Sequence, residues 1–224
     1  MIPNYAVVTR LGPPLERRIA LCFTGNENPI YLQEVLDILA INNSLAVFFL
    51  PENWLKHNAA LIKLLLNKKH ELGGVTPNLN SAPAIKPAET ILEIKKFWRA
   101  VQKLELFPPP TLFRLSKQQY NRSILEQLYQ LNYANLIIPT IEVTKQNSLN
   151  RFWINLFKPG TIVNFDLADP KTIVLLPRLL LKAKQLNYSL LKLSELLAPI
   201  NRQDKYESRI SLPGQTMFDL GQKF

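Results

Sequence analysis

The sequence predicts an α/β domain, with about seven parallel strands covered by helices. Three observations predict it. Short runs of apolar residues, too brief for helices, recur along the chain. Segments with apolar residues every three to four positions separate them. Prolines and polar clusters mark the joints. Strands apolar on both faces belong to parallel sheets with helices packed on them. Strand counting alone leaves open whether the sheet closes into a barrel or stays open and doubly wound.

The first strand is Ile19-Ala20-Leu21-Cys22-Phe23, and the second is Leu45 to Leu50. A helix at about 30–41 lies between them, with Leu32, Val35, Leu36 and Leu39 on one side. Asn28 suits its cap and Pro29 its first position. The spacing of Leu55, Ile62, Leu65 and Leu66 predicts one helix over about 52–69, followed by a strand at about 71–74.

Prolines make Ser81 to Pro87 a loop. Ile91, Ile94, Trp98, Val101 and Leu104 then form a helical face, which Pro108, Pro109 and Pro110 must end. A strand over 111–115 precedes a helix at about 121–132, and 134–138 reads as another strand. Leu149, Phe152, Trp153 and Leu156 fit a short helix, and Pro159-Gly160 turns into a strand over 161–165. Asp169-Pro170 signals the cap and first turn of a helix at about 171–186, before a strand at 188–191 and a helical turn from Ser194. Residues 1–17 stand ahead of this domain as an extension, 18–198 form it, and 199–224 are a polar tail.

The bulk numbers exclude several functions. With 224 residues and 47% hydrophobic composition, the chain can build a core without disulfides or a structural metal. Cys22 is the single cysteine, set in an apolar run where a buried, inert thiol is expected. No apolar run is long enough for a transmembrane segment. Met1 to Arg18 does not read as a signal peptide, because Pro3, Pro13 and Pro14 interrupt it. A net charge of +10 favours polyanionic partners. The basic residues are spread over helix faces, including Lys95, Lys96, Arg99 and Lys103, and no zinc-finger or aromatic RNA-binding pattern accompanies them, so nucleic acid is not expected.

Functional groups in such sheets gather on loops after the strands' carboxyl ends. Gly25 stands alone there, without the glycine-rich loop that cradles a nucleotide phosphate. Those loops offer Asp166, Asp169, Glu27 and Arg114 as the candidates for chemistry. Asp169 also suits a helix cap, and Asp166 a solvated strand end. The two histidines, His57 and His70, are thirteen residues apart on one predicted helical unit, a rise of about 20 Å, so they cannot share a metal. No metal site and no cofactor is expected. Trp54 and Tyr120 sit at strand-to-helix junctions, where they could stack on sugar rings.

Taken together, the residues from Arg18 to Leu197 resemble the polysaccharide deacetylase family, the NodB-homology or family 4 carbohydrate esterases. The likeness lies in Arg18-Ile-Ala-Leu-Cys-Phe23, Val35-Leu-Asp-Ile-Leu39, Ala46-Val-Phe-Phe49, His70-Glu-Leu-Gly73, Leu112-Phe-Arg114, Pro159-Gly-Thr-Ile-Val163, Leu176-Pro-Arg-Leu-Leu180 and Leu193-Ser-Glu-Leu-Leu197. It implies an irregular (β/α) barrel of secreted type.

The family's chemistry is not carried over with its framework. Where the family reads T-F-D-D-G, with a base and a metal ligand, this chain reads Cys22-Phe23-Thr24-Gly25-Asn26. The N-H-T-x-x-H motif, with two metal histidines, becomes Gly74-Val75-Thr76-Pro77-Asn78-Leu79. The arginine of the third motif survives as Arg114, but Leu115-Ser116-Lys117-Gln118 replaces P-P-Y-G. The late catalytic histidine falls at or beside Asp166. Such enzymes use a bound metal to polarise an amide carbonyl and activate water, and hydrocarbon side chains offer no ligand atoms.

The resemblance therefore implies a catalytically degenerate domain of the bacterial cell envelope or extracellular space. Its expected partners are cell-wall glycan, an anionic wall polymer or a protein. The alternative is a deacetylase or hydrolase acting on non-peptide C–N bonds through a site rebuilt around Asp166, Asp169 and Glu27. Arg114, deprived of its family partner, is expected to pair with Asp166, Glu27 or Glu142, or to point to solvent. Val75, Leu79 and Leu115 are expected to make the former pocket more apolar.

Overall fold

A computed structural model describes residues 4–14, 16–25, 30–76, 86–115, 120–143 and 157–198. The expected roles of Glu27, Asn28, Pro29 and Leu79, the helix containing Leu149 and Trp153, and the tail beyond 198 lie outside the described residues.

Nine strands form one sheet. They are β1 (Val7–Thr9), β2 (Arg18–Thr24), β3 (Val47–Leu50), β4 (Glu71–Val75), β5 (Leu112–Arg114), β6 (Asn135–Ile137), β7 (Ile141–Val143), β8 (Ile162–Asp166) and β9 (Ser189–Leu191). The described helices are α1 (Leu32–Ile41), α2 (Glu52–His57), α3 (Ala59–Asn67), α4 (Pro87–Lys103), α5 (Arg122–Gln130), α6 (Lys171–Gln185) and α7 (Leu193–Leu197). The strand order is β1-β6-β5-β4-β3-β2-β8-β7, with β9 added against β2. Every ladder is parallel.

That order shows the sheet to be curled. β6 lies near one end and β7 at the other, yet only residues 138–140 separate them in the chain. So short a link reaches little more than about 14 Å. The seam is stitched by single bonds. Gly12, beyond β1, donates its N–H to the carbonyl of Gly160, ahead of β8, over 2.8 Å. The Thr140 hydroxyl donates to the Arg10 carbonyl over 2.6 Å and accepts from the Ile162 N–H at 3.1 Å. Among the described residues no ladder joins β1 to β7. The irregular (β/α) barrel is thus present, with two strands more than the seven expected.

β1 comes from the stretch 1–17, read as an extension, and β7 from a stretch read as loop. Both are three residues long, too short for a periodicity to register. The helix expected over 52–69 is two helices, because Asn58 leaves helical geometry at φ −130° and its side-chain amide bonds back to the Trp54 carbonyl. α1 begins at Leu32 with Tyr31 as its cap, so it starts later than Asn28 and Pro29 suggested.

The β-strand period of two sorts residues between two apolar clusters. Ile19, Leu21, Phe23, Phe48, Phe113, Val163 and Phe165 face the helices. Phe23 stacks between Phe48 and Phe165, with ring centroids 5.2 and 5.6 Å away. The alternate residues Ala20, Cys22, Val47, Phe49, Leu112, Ile137 and Ile162 fill the barrel interior. Leu193 and Leu196 of α7 close its lower end, where Ser194 bonds to Glu71, the first residue of β4. The opposite end is the mouth.

The helix ends share one device. Asn43, Lys69, Glu105, Asn132 and Asn187 follow α1, α3, α4, α5 and α6 with φ between 49° and 69°. A left-handed residue at this position turns the chain out of the helix and lets late N–H groups cap its last carbonyls. Asparagine, which fills three of the five positions, tolerates it best among residues with side chains.

Candidate functional site

The interior face is apolar toward its lower end, and toward the mouth it carries Thr24 and Arg114, the last residues of β2 and β5, with Glu142 and Asn164 from within β7 and β8. These four side chains form a closed ring. Arg114 Nη1 donates to Thr24 Oγ1 over 2.8 Å, and Thr24 Oγ1 donates to Asn164 Oδ1 over 2.8 Å. Asn164 Nδ2 donates to Glu142 Oε2 over 2.9 Å, and Arg114 Nη2 closes the ring on Glu142 Oε1. Thr24, Asn164 and Glu142 come from the adjacent strands β2, β8 and β7. Arg114 comes from β5, separated from β2 by β3 and β4, so its side chain crosses the barrel mouth.

Arg114, Thr24 and Asn164 are buried, whereas the Glu142 side chain is 39% exposed. The carboxylate is the outer member of the ring and supplies the charge that a buried guanidinium requires. Arg114 Nε is buried without an acceptor among the described residues. Of the partners expected for Arg114, the structure selects Glu142. Cys22 lies on the same face one layer below Thr24, and burial pushes its thiol far above the ordinary range, against a smaller opposing pull from the Arg114 charge. The thiol stays protonated and unreactive.

The other sequence candidates do local work. Asp166 Oδ1 accepts the Ala168 N–H over 2.9 Å. Asp169 Oδ1 accepts the Lys171 N–H over 3.0 Å, capping α6 from one position before Pro170. The two aspartates therefore serve the turn into α6. Trp54 corrects an expectation: it is 6% exposed within the helix-side core, so a sugar ring has no face to stack on. Tyr120 is half-buried, and its hydroxyl accepts from Arg10 Nη2 over 2.7 Å. His70 lies at the lower end, where its Nδ1 accepts the Ala46 N–H at 3.3 Å, and burial brings its pKa down to about 4.

The residues do not fit the metal that the fold family uses. Val75, at the position of the first motif histidine, is 2% exposed and packs in the interior cluster. Gly25 has no side chain, and Thr24, in place of the base, has its hydroxyl engaged on both sides. Among the described residues no three His, Cys, Asp or Glu side chains converge as a cation would require. Leu115, buried at 2% exposure, adds hydrocarbon beside Arg114.

Asn164 is a ring member that sequence reasoning did not single out, and Glu142 entered it only as one of the partners expected for Arg114. Each had a signal. Asn164 is one amide in the apolar run Ile162-Val163-Asn164-Phe165, and Glu142 alternates with Ile141 and Val143.

Comparison with known proteins places this geometry. Residues 12–136 match the polysaccharide deacetylase family model. A peptidoglycan-N-acetylglucosamine deacetylase of Bacillus cereus is 28% identical over 205 residues, covering 85% of this chain and 92% of that one. A family 4 carbohydrate esterase pseudoenzyme from Bacillus anthracis superimposes with a TM-score of 0.75 at 20% identity, over 86% of this chain and 69% of that one. A family 4 carbohydrate esterase of Bacillus subtilis gives 0.67 at 18%, over 86% and 85%. The structural matches carry the fold, and the family match spans more than half of the sequence. With a curled parallel sheet and a family model matched over more than half of its length, the chain belongs to the polysaccharide deacetylase family.

Proposed function

We propose that this protein is a non-catalytic member of its family that holds cell-envelope glycan at the barrel mouth. The observation that carries the reading is the ring itself. Thr24 stands where the family has a carboxylate base, and its hydroxyl is bonded to Arg114 and Asn164. A threonine hydroxyl cannot take a proton near neutral pH, and Val75 offers a cation no lone pair. Both halves of metal-assisted amide hydrolysis, the activated water and the polarised carbonyl, thereby lose their agents. A relative in fold is a pseudoenzyme, and a mutant of that protein has restored enzymatic activity, so this architecture does exist without turnover.

The glycan role rests on the relatives and on the rim. The Bacillus cereus relative is a peptidoglycan-N-acetylglucosamine deacetylase, and a saccharide acted on at that mouth is the ligand most compatible with it. Tyr120, half-buried beside Arg10, is an aromatic at the rim available to a sugar. A location in the cell envelope follows from the same reasoning. No described helix is long and apolar enough to cross a membrane. A site rebuilt around Asp166 and Asp169 gains no support, since both carboxylates cap the turn into α6.

The test pairs two assays on the full chain. Purified protein is incubated with acetylated chito-oligomers and with peptidoglycan in the presence of zinc, and acetate is measured; a parallel sample is sedimented with insoluble peptidoglycan. Co-sedimentation without acetate, weakened in Tyr120→Ala, is expected. Acetate release dependent on the metal would overturn the non-catalytic reading. Failure to sediment would overturn the glycan role.

A further inference from the structure

Away from the mouth, α2 and α4 border an open groove of about 490 Å³. Its lining includes Lys56, Lys96, Arg99 and Lys103, with Glu52 and Gln102. Two of the cations are already satisfied. Lys56 pairs with Glu52, whose carboxylate is buried, and Lys96 donates to Glu93 over 2.8 Å. Arg99 and Lys103 have neither a hydrogen bond nor an ion pair among the described residues, and both are exposed. Four cations against the two carboxylates Glu52 and Glu93 leave an excess of two positive charges.

Arg99 and Lys103 are four residues apart on α4, hence on one face and about 6 Å apart along the axis. They repel each other in the free protein, and an anion between them turns that repulsion into attraction. We propose that this groove is a binding site for phosphate groups. Arg99 offers its planar fork to two phosphate oxygens, Lys103 supplies a point charge, and Gln102 lies on the same lining as a neutral donor. A single carboxylate would neutralise only one of the two unpaired cations. A phosphate dianion, or successive groups of a phosphate chain, matches both. The site lies on the outer helical layer and does not depend on what the mouth holds.

The experiment titrates tripolyphosphate into the full chain by calorimetry at low salt. The wild type should bind, and Arg99→Gln/Lys103→Gln should weaken binding by about tenfold or more. Lys182→Gln/Lys184→Gln removes the same charge from exposed positions in the last turn of α6 and should change affinity by less than about twofold. Equal losses in the two double variants would overturn the site in favour of diffuse net charge. Sedimentation with phosphatidylglycerol vesicles, against phosphatidylcholine alone, identifies the source. Vesicle capture lost in the Arg99/Lys103 variant assigns a lipid headgroup, whereas tripolyphosphate binding without capture assigns a soluble phosphate chain. Binding of neither probe overturns the proposal.

Discussion

Arg114 reaches across the barrel mouth to donate to Thr24 over 2.8 Å, although β3 and β4 stand between their strands. A guanidinium spanning the opening, held at its far side by Glu142, makes the mouth a hydrogen-bonded lid on the apolar interior. The ring is therefore a stability element, and its members should behave as one unit.

Removing the carboxylate tests that coupling. Glu142→Ala leaves Arg114 buried without its counter-charge and should cost about 2 kcal/mol, below the loss at fully buried pairs because the Glu142 side chain is 39% exposed. Urea denaturation measures it. Arg114→Met/Glu142→Ala should be less destabilised than the sum of the single variants, as expected for partners in contact. Strict additivity would mean that the two residues act separately.

Stability should fall on acidification through His70. Its folded pKa is lowered to about 4 from the ordinary 6.5, so the unfolded chain binds the proton more readily. Between those values stability rises with pH. The contribution is fully present above about pH 6.5 and is lost as pH falls toward 4, on the order of 1–2 kcal/mol after allowance for solvent screening. Protonating Nδ1 also removes the acceptor for the Ala46 N–H. His70→Gln should flatten the dependence of the urea midpoint on pH across this window.

Tyr133 should be improved by losing an atom. Its ring packs against Phe97, Trp98 and Phe113, while its buried hydroxyl lacks a partner among the described residues. Tyr133→Phe keeps the ring and deletes the unsatisfied group, so the thermal midpoint should rise, with a gain of about 1 kcal/mol. A lower midpoint would indicate a bonded hydroxyl.

Gly74 leaves room for the aromatic layer outside β4. A Cβ there would stand 2.4 Å from Phe113 Cε2 and 2.8 Å from Phe97 Cε1. Gly74→Ala should cost about 1–3 kcal/mol, the usual penalty for overpacking a filled core. Calorimetric melting compared with Ala100→Gly, which removes a methyl group from the facing helix, separates overpacking from general core damage.

The readable part of the fold was the part with long patterns. β2 and β3 announced themselves because residues buried on both faces leave unbroken apolar runs, and β8 did so with a run interrupted by Asn164. α4 announced its period, but its buried face is centred on Ile94, Phe97 and Val101, and Trp98 lies at its edge. The face is set by where the Phe113 ring of β5 and the Tyr133 ring ahead of β6 stand, which other parts of the chain decide. β1 and β7 had no comparable signal, because three residues are ordered by the neighbour that each strand pairs with.

At the mouth the division follows the same line. The residue types alone, Thr24, Gly25 and Val75 where the resemblance leads one to expect two acids and a histidine, determined that these three positions hold no carboxylate and no imidazole. Which groups took over was decided by the curl of the sheet. It brings β5 opposite β2 and sets Glu142, Asn164, Thr24 and Arg114 within bonding distance, residues up to 140 positions apart in the chain. Side-chain chemistry is a property of each residue and is written in the sequence, whereas a hydrogen bond needs two atoms about 3 Å apart, and only the curled sheet sets that distance.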